Sequence, residues 1–471
     1  MSDDAEDAAA GDAFDRVVAR VRERVLPDEA ERAEMERVAG EVVERAEAAV
    51  ADRDVEADVV RVGSTARGTW LSGDRDLDVF VRFPPDLDRA DLERYGLEVG
   101  HAVLPDGHEE YAEHPYVKGV VDGFDVDLVP CYRLDDATDI RSAVDRTPFH
   151  TRYLAEQLDD DLAADVVVAK AFLKGIGAYG SDLRTRGFSG YLTELLVLEY
   201  GGFRPLVAAA ADEWHPPVRF DPEGHGDASF DDPLVVVDPT DPERNVAAVC
   251  SAAAVGRLLH YARDLLAEPR EELFEPGSRA PEPLDADAVR AVVADRGTHP
   301  VAVRFTTPDI VEDQLYPQLD RSLAGLRDEL DRRGFEPVRA DRFAQAPDAV
   351  DDGEPVAALL VECAVAERPA VERHEGPPVG VREHAEGFYD EYVDDPDVYG
   401  PFLDGDRYVV ERPREVRTPA KLATTELFDC SLGPHVEASL EDGYDVLAGD
   451  EIAALATPFG RELAAYFDPS P

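Results

Sequence analysis

Val59-Val-Arg-Val-Gly-Ser64, Asp76-Leu-Asp-Val-Phe-Val-Arg-Phe83 and Phe124-Asp-Val-Asp-Leu-Val129 decide how this chain folds. The first has strand character and runs into a Gly-Ser turn. In the second, Asp76, Asp78 and Phe80 fall on one face of a strand and Leu77, Val79 and Val81 on the other. The third is the far arm of a hairpin: Val117 to Val121 leads into Asp122-Gly123, a strong signal for a tight turn, and Asp125 and Asp127 then share a face. Chemistry joins the three. A Gly-Ser turn at a helix N-terminus lets backbone N–H groups approach a triphosphate closely. Phosphoryl-type transfer to a hydroxyl is served by two magnesium ions about 3.5–4 Å apart that clamp the attacking and leaving oxygens. Magnesium takes oxygen ligands, usually a few carboxylates, water and the substrate's own phosphates. Asp76, Asp78 and Asp127 beside a phosphate turn are therefore a sufficient set.

No acid pair is informative alone. With 103 Asp and Glu in 471 residues, acid–x–acid pairs arise by chance all along the chain, and Asp52/Asp54, Asp74/Asp76 and Asp86/Asp88 are such background. One acidic strand reads as a surface facing salty water. The turn, the alternation and the hairpin together favour catalysis.

The formal net charge is −55, yet 44% of residues are hydrophobic, so the chain is not a disordered acidic polymer. Lysine is confined to Lys118, Lys170, Lys174 and Lys421; arginine supplies the remaining cations. A folded, uniformly acidic, lysine-poor chain fits a halophilic, salt-loaded cytoplasm, where the Debye length falls to about 3 Å at molar salt and self-repulsion is screened. The acidity then reports the solvent and does not argue against a nucleic-acid partner, which ordinarily shows as a basic balance. No run of eighteen apolar residues marks a membrane span. Met1 to Ala13 lacks the basic and apolar regions of a signal peptide and is expected to be a disordered acidic tail. Cys131, Cys250, Cys363 and Cys430 have neither zinc nor disulfide spacing, so the expected location is cytoplasmic.

Two helices are predicted over Phe14 to Leu26 and Asp28 to Val50, broken at Pro27. Mixed strands and helices follow to about Pro130. Helices are then expected over Ala163 to Tyr179, Tyr191 to Tyr200 and Asn245 to Ala267. Glu268 to Pro283, rich in Pro and Glu, is the linker candidate. Beyond it come strands at Val301 to Phe305 and Val356 to Cys363, a helix over Tyr316 to Arg333, a strand at Tyr408 to Val410 and a last helical segment at Leu463 to Phe467. The class is α+β, divided as a tail 1–13, a catalytic head 14–147, a helical neck 148–267, a linker 268–283 and an α+β part 284–471.

These residues resemble the archaeal (class I) CCA-adding enzymes, tRNA nucleotidyltransferases of the polymerase-β superfamily. The signatures are Gly63-Ser-Thr-Ala-Arg-Gly-Thr-Trp-Leu71, Asp76-Leu-Asp-Val-Phe80, His114-Pro-Tyr-Val117 and Val126-Asp-Leu-Val-Pro-Cys-Tyr132. Lys170-Ala-Phe-Leu-Lys174, Gly187-Phe-Ser-Gly-Tyr-Leu192 and Asp238-Pro-Thr-Asp-Pro-Glu-Arg-Asn-Val246 extend the match. The resemblance implies a polymerase-β-type nucleotidyltransferase head, a helical neck, and an α+β body and tail that grip the tRNA acceptor arm. It implies a homodimer, Mg²⁺ dependence, and stepwise use of CTP and ATP to add CCA to the tRNA 3′ end without a template. It assigns Asp76, Asp78 and Asp127 to the metals. It assigns Ser64, Arg67, His150, Lys170 and Tyr179 to the incoming nucleotide, with Arg244 lining the base pocket. The first metal carboxylate, often Glu in this family, is Asp76 here; Asp serves in related nucleotidyltransferases.

Lys170 also stands out without the family. In a chain that has otherwise traded lysine for arginine, a compact ammonium gripping a phosphate is a reason to keep lysine, whereas arginine would decorate a solvated helix equally well. Arg407 to Lys421 carries five cations against two anions. Arg412, Arg414 and Arg417 are accordingly expected to hold the tRNA backbone, although a few arginines neutralising nearby acids would look the same. Two other readings compete. One is a different polymerase-β-type transfer, such as a poly(A) polymerase or a drug-modifying enzyme. The other is a catalytically silent RNA-binding relative.

Overall fold

The computed structural model describes residues 3–111, 113–346, 350 and 353–471, with side chains from residue 12 onward. The chain divides into two compact units, residues 1–279 with Pro471, and residues 280–470.

In the first unit, α1 (Asp3–Val25) and α2 (Glu29–Ala51) are separated at Pro27, and Asp28 caps α2 in a reciprocal capping box with Glu31. α1 starts at Asp3, inside the stretch 1–13 read as a tail, and residues 1–2 lie outside the described ones. An alanine-rich run behind acids at the N-terminal end suits both helix propensity and the helix dipole. A mixed layer follows: β1 (Asp58–Val62), α3 (Gly63–Arg67), β2 (Asp76–Phe83), α4 (Arg89–Val103), β3 (His108–Tyr111), β4 (Pro115–Val121) and β5 (Phe124–Tyr132). Its five strands are ordered β1-β2-β5-β4-β3, with β2 and β5 parallel and the other pairs antiparallel. The β4–β5 turn has positive φ at Asp122 (51°) and Gly123 (81°), the paired left-handed geometry expected of Asp-Gly.

Alternation makes this sheet two-faced. Leu77, Val79, Val81, Val126 and Leu128 enter one core with Met35, Val38 and Val42 of α2 and Leu92, Val99 and Val103 of α4. The opposite face carries the carboxylates, then a small apolar floor of Val62, Phe80, Val129 and Cys131.

The helical part comprises α5 (Thr147–Gln157), α6 (Asp160–Gly175), α7 (Gly190–Tyr200), α8 (Phe203–Asp212) and α9 (Ala252–Ala267), with the short strands β6 (Val218–Phe220), β7 (Leu234–Asp238) and β8 (Asp241–Asn245). Phe14, Val17 and Val21 of α1 pack in this core and not in that of the head, so the break at Pro27 sends the first two helices to different cores. Two expected boundaries move. The helix predicted from Asn245 starts at Ala252 behind a Ser251 cap. Asn245 instead ends β8, its side chain accepting from Val236 N–H and Ala247 N–H and donating to Asp232 and the Leu234 carbonyl. The helix predicted to reach Tyr179 ends at Gly175, because Gly177 turns with φ +67° and Tyr179 bridges to Phe188. Within the expected linker, Leu273 and Phe274 are buried in this same core.

The second unit holds α10 (Ala286–Arg296), β9 (His299–Thr306), α11 (Glu312–Arg332), β10 (Pro337–Ala344), β11 (Val356–Cys363), β12 (Val371–Pro378), α12 (Arg382–Tyr392), β13 (Tyr399–Asp404), β14 (Arg407–Pro413), α13 (Pro419–Thr425), α14 (Pro434–Asp442), β15 (Tyr444–Ala448) and α15 (Ala456–Phe467). Four strands ordered β10-β11-β9-β15 bury both faces: α11, α13 and α14 cover one, α10 and α15 the other. β12-β14-β13 form a separate three-stranded sheet with α12 against it. The protein is α+β throughout.

Candidate active site

β2 and β5 run side by side in parallel register, and the register places Asp78 directly opposite Asp127 and Asp76 opposite Asp125. Val62, the last residue of β1, pairs with Asp78 on the other side. The chain therefore enters the Gly63-Ser64 turn at the level of the inner carboxylate. Gly63 has φ +76°, and a Cβ built there would stand 2.2 Å from Asp78 Oδ2. Only glycine allows both the left-handed turn and the close carboxylate. Gly63→Ala is expected to push Asp78 aside and lower the rate of nucleotide addition by about a hundredfold, since misplacement of a reacting group by about 1 Å costs that much. Steady-state kinetics beside a melting curve checks it, and an unchanged rate would take Asp78 out of the site.

The three carboxylates are uncomfortable as they stand. Burial, helped by Asp127 and Asp76, pushes Asp78 up to about 6. Burial raises Asp76, with Asp74 and Asp125 adding to it, and burial raises Asp127 against the opposing pull of Lys118. Lys118 sits opposite Asp127 in the β4–β5 register, its Nζ 3.3 Å from the buried Asp127 Oδ1, and no well-aligned hydrogen bond reaches that oxygen. Among the described residues no three His, Cys, Asp or Glu side chains are grouped closely enough to hold one metal ion between them. The donor set still fits a hard dication: all-oxygen, partly buried, mutually repelling and short of hydrogen-bond donors.

Beside the turn, a fully buried Glu194 of α7 gathers cations. Arg67, ending α3, donates from Nη2 to Glu194 Oε2 at 2.7 Å and from Nη1 to Thr151 Oγ1 at 3.1 Å. Lys170 of α6 donates to the Thr69 carbonyl at 2.8 Å and lies 3.4 Å from Glu194 Oε1, which also accepts from the Thr69 hydroxyl. Burial alone would raise Glu194; Lys170 and Arg67 more than offset it and hold the carboxyl below its ordinary value. Lys170 is thus buried and already partnered rather than projecting into open space. Tyr179 converges with it: a Cβ on Gly190 would stand 3.2 Å from the Tyr179 hydroxyl and 3.6 Å from Lys170 Nζ. Lys174 lies 3.6 Å from Asp74 Oδ1 and over the Tyr179 ring.

A second buried carboxylate, Asp238 at the end of β7, collects His150 and Arg244. Asp238 Oδ2 accepts from His150 Nε2 at 2.8 Å and from Arg244 Nη1 at 2.7 Å. The His150 ring stacks on Tyr191 with centroids 3.9 Å apart. Burial lowers His150 against the pull of Asp238, which favours the neutral ring with its proton on Nε2. The expected nucleotide residues therefore form two groups, Ser64, Arg67, Lys170 and Tyr179 by the turn, and His150 and Arg244 on Asp238. Thr151, the neighbour of His150, joins them through Arg67.

Three family models match the chain. A nucleotidyltransferase domain matches residues 43–150, the second domain of tRNA nucleotidyltransferases matches 164–275, and the C-terminal domain of the CCA-adding enzyme matches 296–449. The CCA-adding enzyme of Haloarcula marismortui is 63% identical over 468 residues, covering 98% of this chain and 100% of the relative. The chain belongs to the CCA-adding enzyme family. That of Halorubrum lacusprofundi is 60% identical over 98% of this chain and 100% of its own length, and that of Methanoregula boonei 46% identical over 82% and 83%. Halophilic archaea thus supply very similar members of the CCA-adding enzyme family, in keeping with the acidic, lysine-poor composition. Among the described residues no helix is long and apolar enough to cross a membrane.

In the second unit the three arginines expected on RNA all have acidic neighbours. Arg412 Nη2 lies 3.0 Å and Arg414 Nη1 3.5 Å from Glu372 of β12, and Arg417 Nη2 lies 2.5 Å from Glu367. The local positive surplus is answered by acids outside the segment, which sequence distance hid.

Sequence reasoning passed over Lys118, Glu194 and Asp238 as functional groups. Two of them had a signal: Glu194 is a lone acid among Leu192, Leu195, Leu196 and Val197, and Asp238 closes the apolar run Leu234 to Val237. An acid at a position that must be buried calls for a cation.

Proposed function

We propose that the protein builds and repairs the 3′-terminal CCA of tRNA, transferring CMP, CMP and AMP from CTP and ATP to the tRNA 3′-hydroxyl without a template and releasing diphosphate. The observation that carries this reading is the opposition of Asp78 and Asp127 across β2 and β5, with Gly63 closed down on Asp78. Asp76, Asp78 and Asp127 would hold Mg²⁺. When bound, it would neutralise the phosphates and lower the barrier to attack. The chain's own side chains do the rest. Ser64, Arg67, Lys170 and Tyr179 receive the triphosphate, the two cations being held in place by Glu194. His150 and Arg244 face the sugar and base. Anchoring these donors in advance means little reorganisation accompanies the reaction. The same reading takes the protein as a cytoplasmic homodimer, which light scattering in concentrated KCl would test.

The decisive experiment incubates purified protein in concentrated KCl with Mg²⁺, CTP, ATP and tRNA truncated before CCA, and sequences the product ends. The expected product ends in CCA and goes no further. Tails of A alone would favour a poly(A) polymerase, and no incorporation would favour a silent RNA-binding relative. Arg412, Arg414 and Arg417 remain proposed contacts to the tRNA backbone, where phosphates would compete with Glu372 and Glu367. Changing all three to Ser should then weaken tRNA binding with CTP affinity unchanged; unaltered tRNA affinity leaves them as local neutralisers of acid.

A further inference from the structure

Asp238 is fully buried at the end of β7 and every direction around its carboxylate is used. Oδ2 accepts from His150 Nε2 and Arg244 Nη1. Oδ1 accepts from the Thr240 N–H at 2.9 Å, the Thr240 hydroxyl at 2.8 Å and the Tyr191 hydroxyl at 3.3 Å. Its donors come from separate elements: α5 gives His150, α7 gives Tyr191, and Arg244 lies on β8. Two of the donors are the stacked rings of His150 and Tyr191, so one carboxylate holds both edges of the stack as well as one arm of a guanidinium. The Arg244 side chain is still 34% exposed, leaving further N–H groups free of Asp238.

We infer that Asp238 is the positioning residue of the nucleotide site, fixing the plane of the His150–Tyr191 stack and the direction in which Arg244 presents its remaining donors, and so setting both affinity for the nucleotide and discrimination between bases. This rests on the reading of His150 and Arg244 as nucleotide contacts. The physical case is one of satisfiability. All five donors need an oxygen acceptor, and a carboxylate supplies two. An amide in its place must turn an NH₂ toward one side. On the Oδ2 side it meets the His150 and Arg244 donors; on the Oδ1 side it meets the Thr240 backbone N–H. A merely structural acid would leave nucleotide selectivity alone once the fold had formed. An acid that aims recognition groups would not.

The test is steady-state CCA addition in concentrated KCl with Asp238→Asn, Tyr191→Phe and Arg244→Ala, each with circular dichroism and melting. For Asp238→Asn the expected result is a KM for CTP and ATP raised about ten- to hundredfold, with kcat and the KM for tRNA within about threefold, the scale of a lost hydrogen bond to a charged group. Misincorporation of UMP and GMP should rise in the same variant. Tyr191→Phe removes one bond to Asp238 without changing charge and should raise the nucleotide KM by about two- to fivefold; it carries the test if Asp238→Asn does not fold. If Arg244→Ala raises the nucleotide KM while the folded Asp238→Asn and Tyr191→Phe variants leave KM and selectivity as they were, the positioning role is wrong. If Arg244→Ala itself leaves both unchanged, the reading of the site beneath it fails.

Discussion

Asp78→Asn is expected to lower nucleotide addition at least about a thousandfold while the protein still folds, and Asp127→Asn and Asp76→Asn to do the same. Each variant loses an anionic oxygen where a highly charged transfer needs its counterions held in place. The three should also separate from ordinary damage by their effect on stability. The Asp78 carboxyl rises from its ordinary 3.8 to about 6 in the folded protein. A raised carboxyl binds its proton more tightly when folded, so the metal-free protein loses stability as pH climbs from about 4 to about 6 and stays at the lower level above it. Asparagine removes that loss. In chelator at neutral pH, Asp78→Asn should melt no lower than the parent and its melting should be flatter between pH 4 and 6. Asp74→Asn is the control, since Asp74 lies by Lys174 and not opposite β5. Equal damage from Asp74→Asn and Asp76→Asn would mean the metal pair has been placed two residues out of register.

Withdrawal of salt is expected to unfold the protein and abolish activity together, at roughly 0.1 M KCl, with recovery on return to molar concentration. The cause is long-ranged. At 0.1 M the Debye length is about 10 Å and neighbouring charges on a −55 surface repel one another; at 1 M it is about 3 Å and most of that repulsion is screened. Surface ion pairs such as Arg89–Glu93 and Arg382–Glu386 cannot compensate, because exposed pairs contribute only about 0–1 kcal/mol each. Circular dichroism and CCA addition across a KCl series would measure both. Unchanged melting and full activity in dilute buffer would sink the halophilic reading.

The carboxylate-bearing face was legible because it depends on local periodicity. Alternation in Asp76 to Phe83 and the Asp122-Gly123 turn are short-range facts, and they suffice to put Asp78 and Asp127 on one face. That β2 and β5 are parallel neighbours is a long-range fact that no local pattern in either strand states. Boundaries failed where a side chain overrode propensity, as when Asn245 took four hydrogen bonds and ended a strand in a stretch that reads as helix. The residues proposed to meet the nucleotide were singled out one at a time and chiefly through resemblance. Their acids, Glu194 and Asp238, lie 24 residues from Lys170 and six from Arg244, and only folding reveals that each carboxylate serves several partners.

The scarcity of lysine makes the protein chemically addressable. Lys118, Lys170 and Lys174 all lie in the catalytic unit, against Asp127, Glu194 and Asp74 respectively, and Lys421 alone lies in the other unit. An amine-selective acylating reagent therefore has few side-chain targets, most of them beside the proposed site. Lys118 and Lys174 keep 36% and 35% of their side-chain surface, while Lys170 keeps 3%. Mass spectrometry of a briefly labelled sample would follow three known points of the site at once. Bound nucleotide would show as protection of Lys118 and Lys174, and local opening as the first labelling of Lys170.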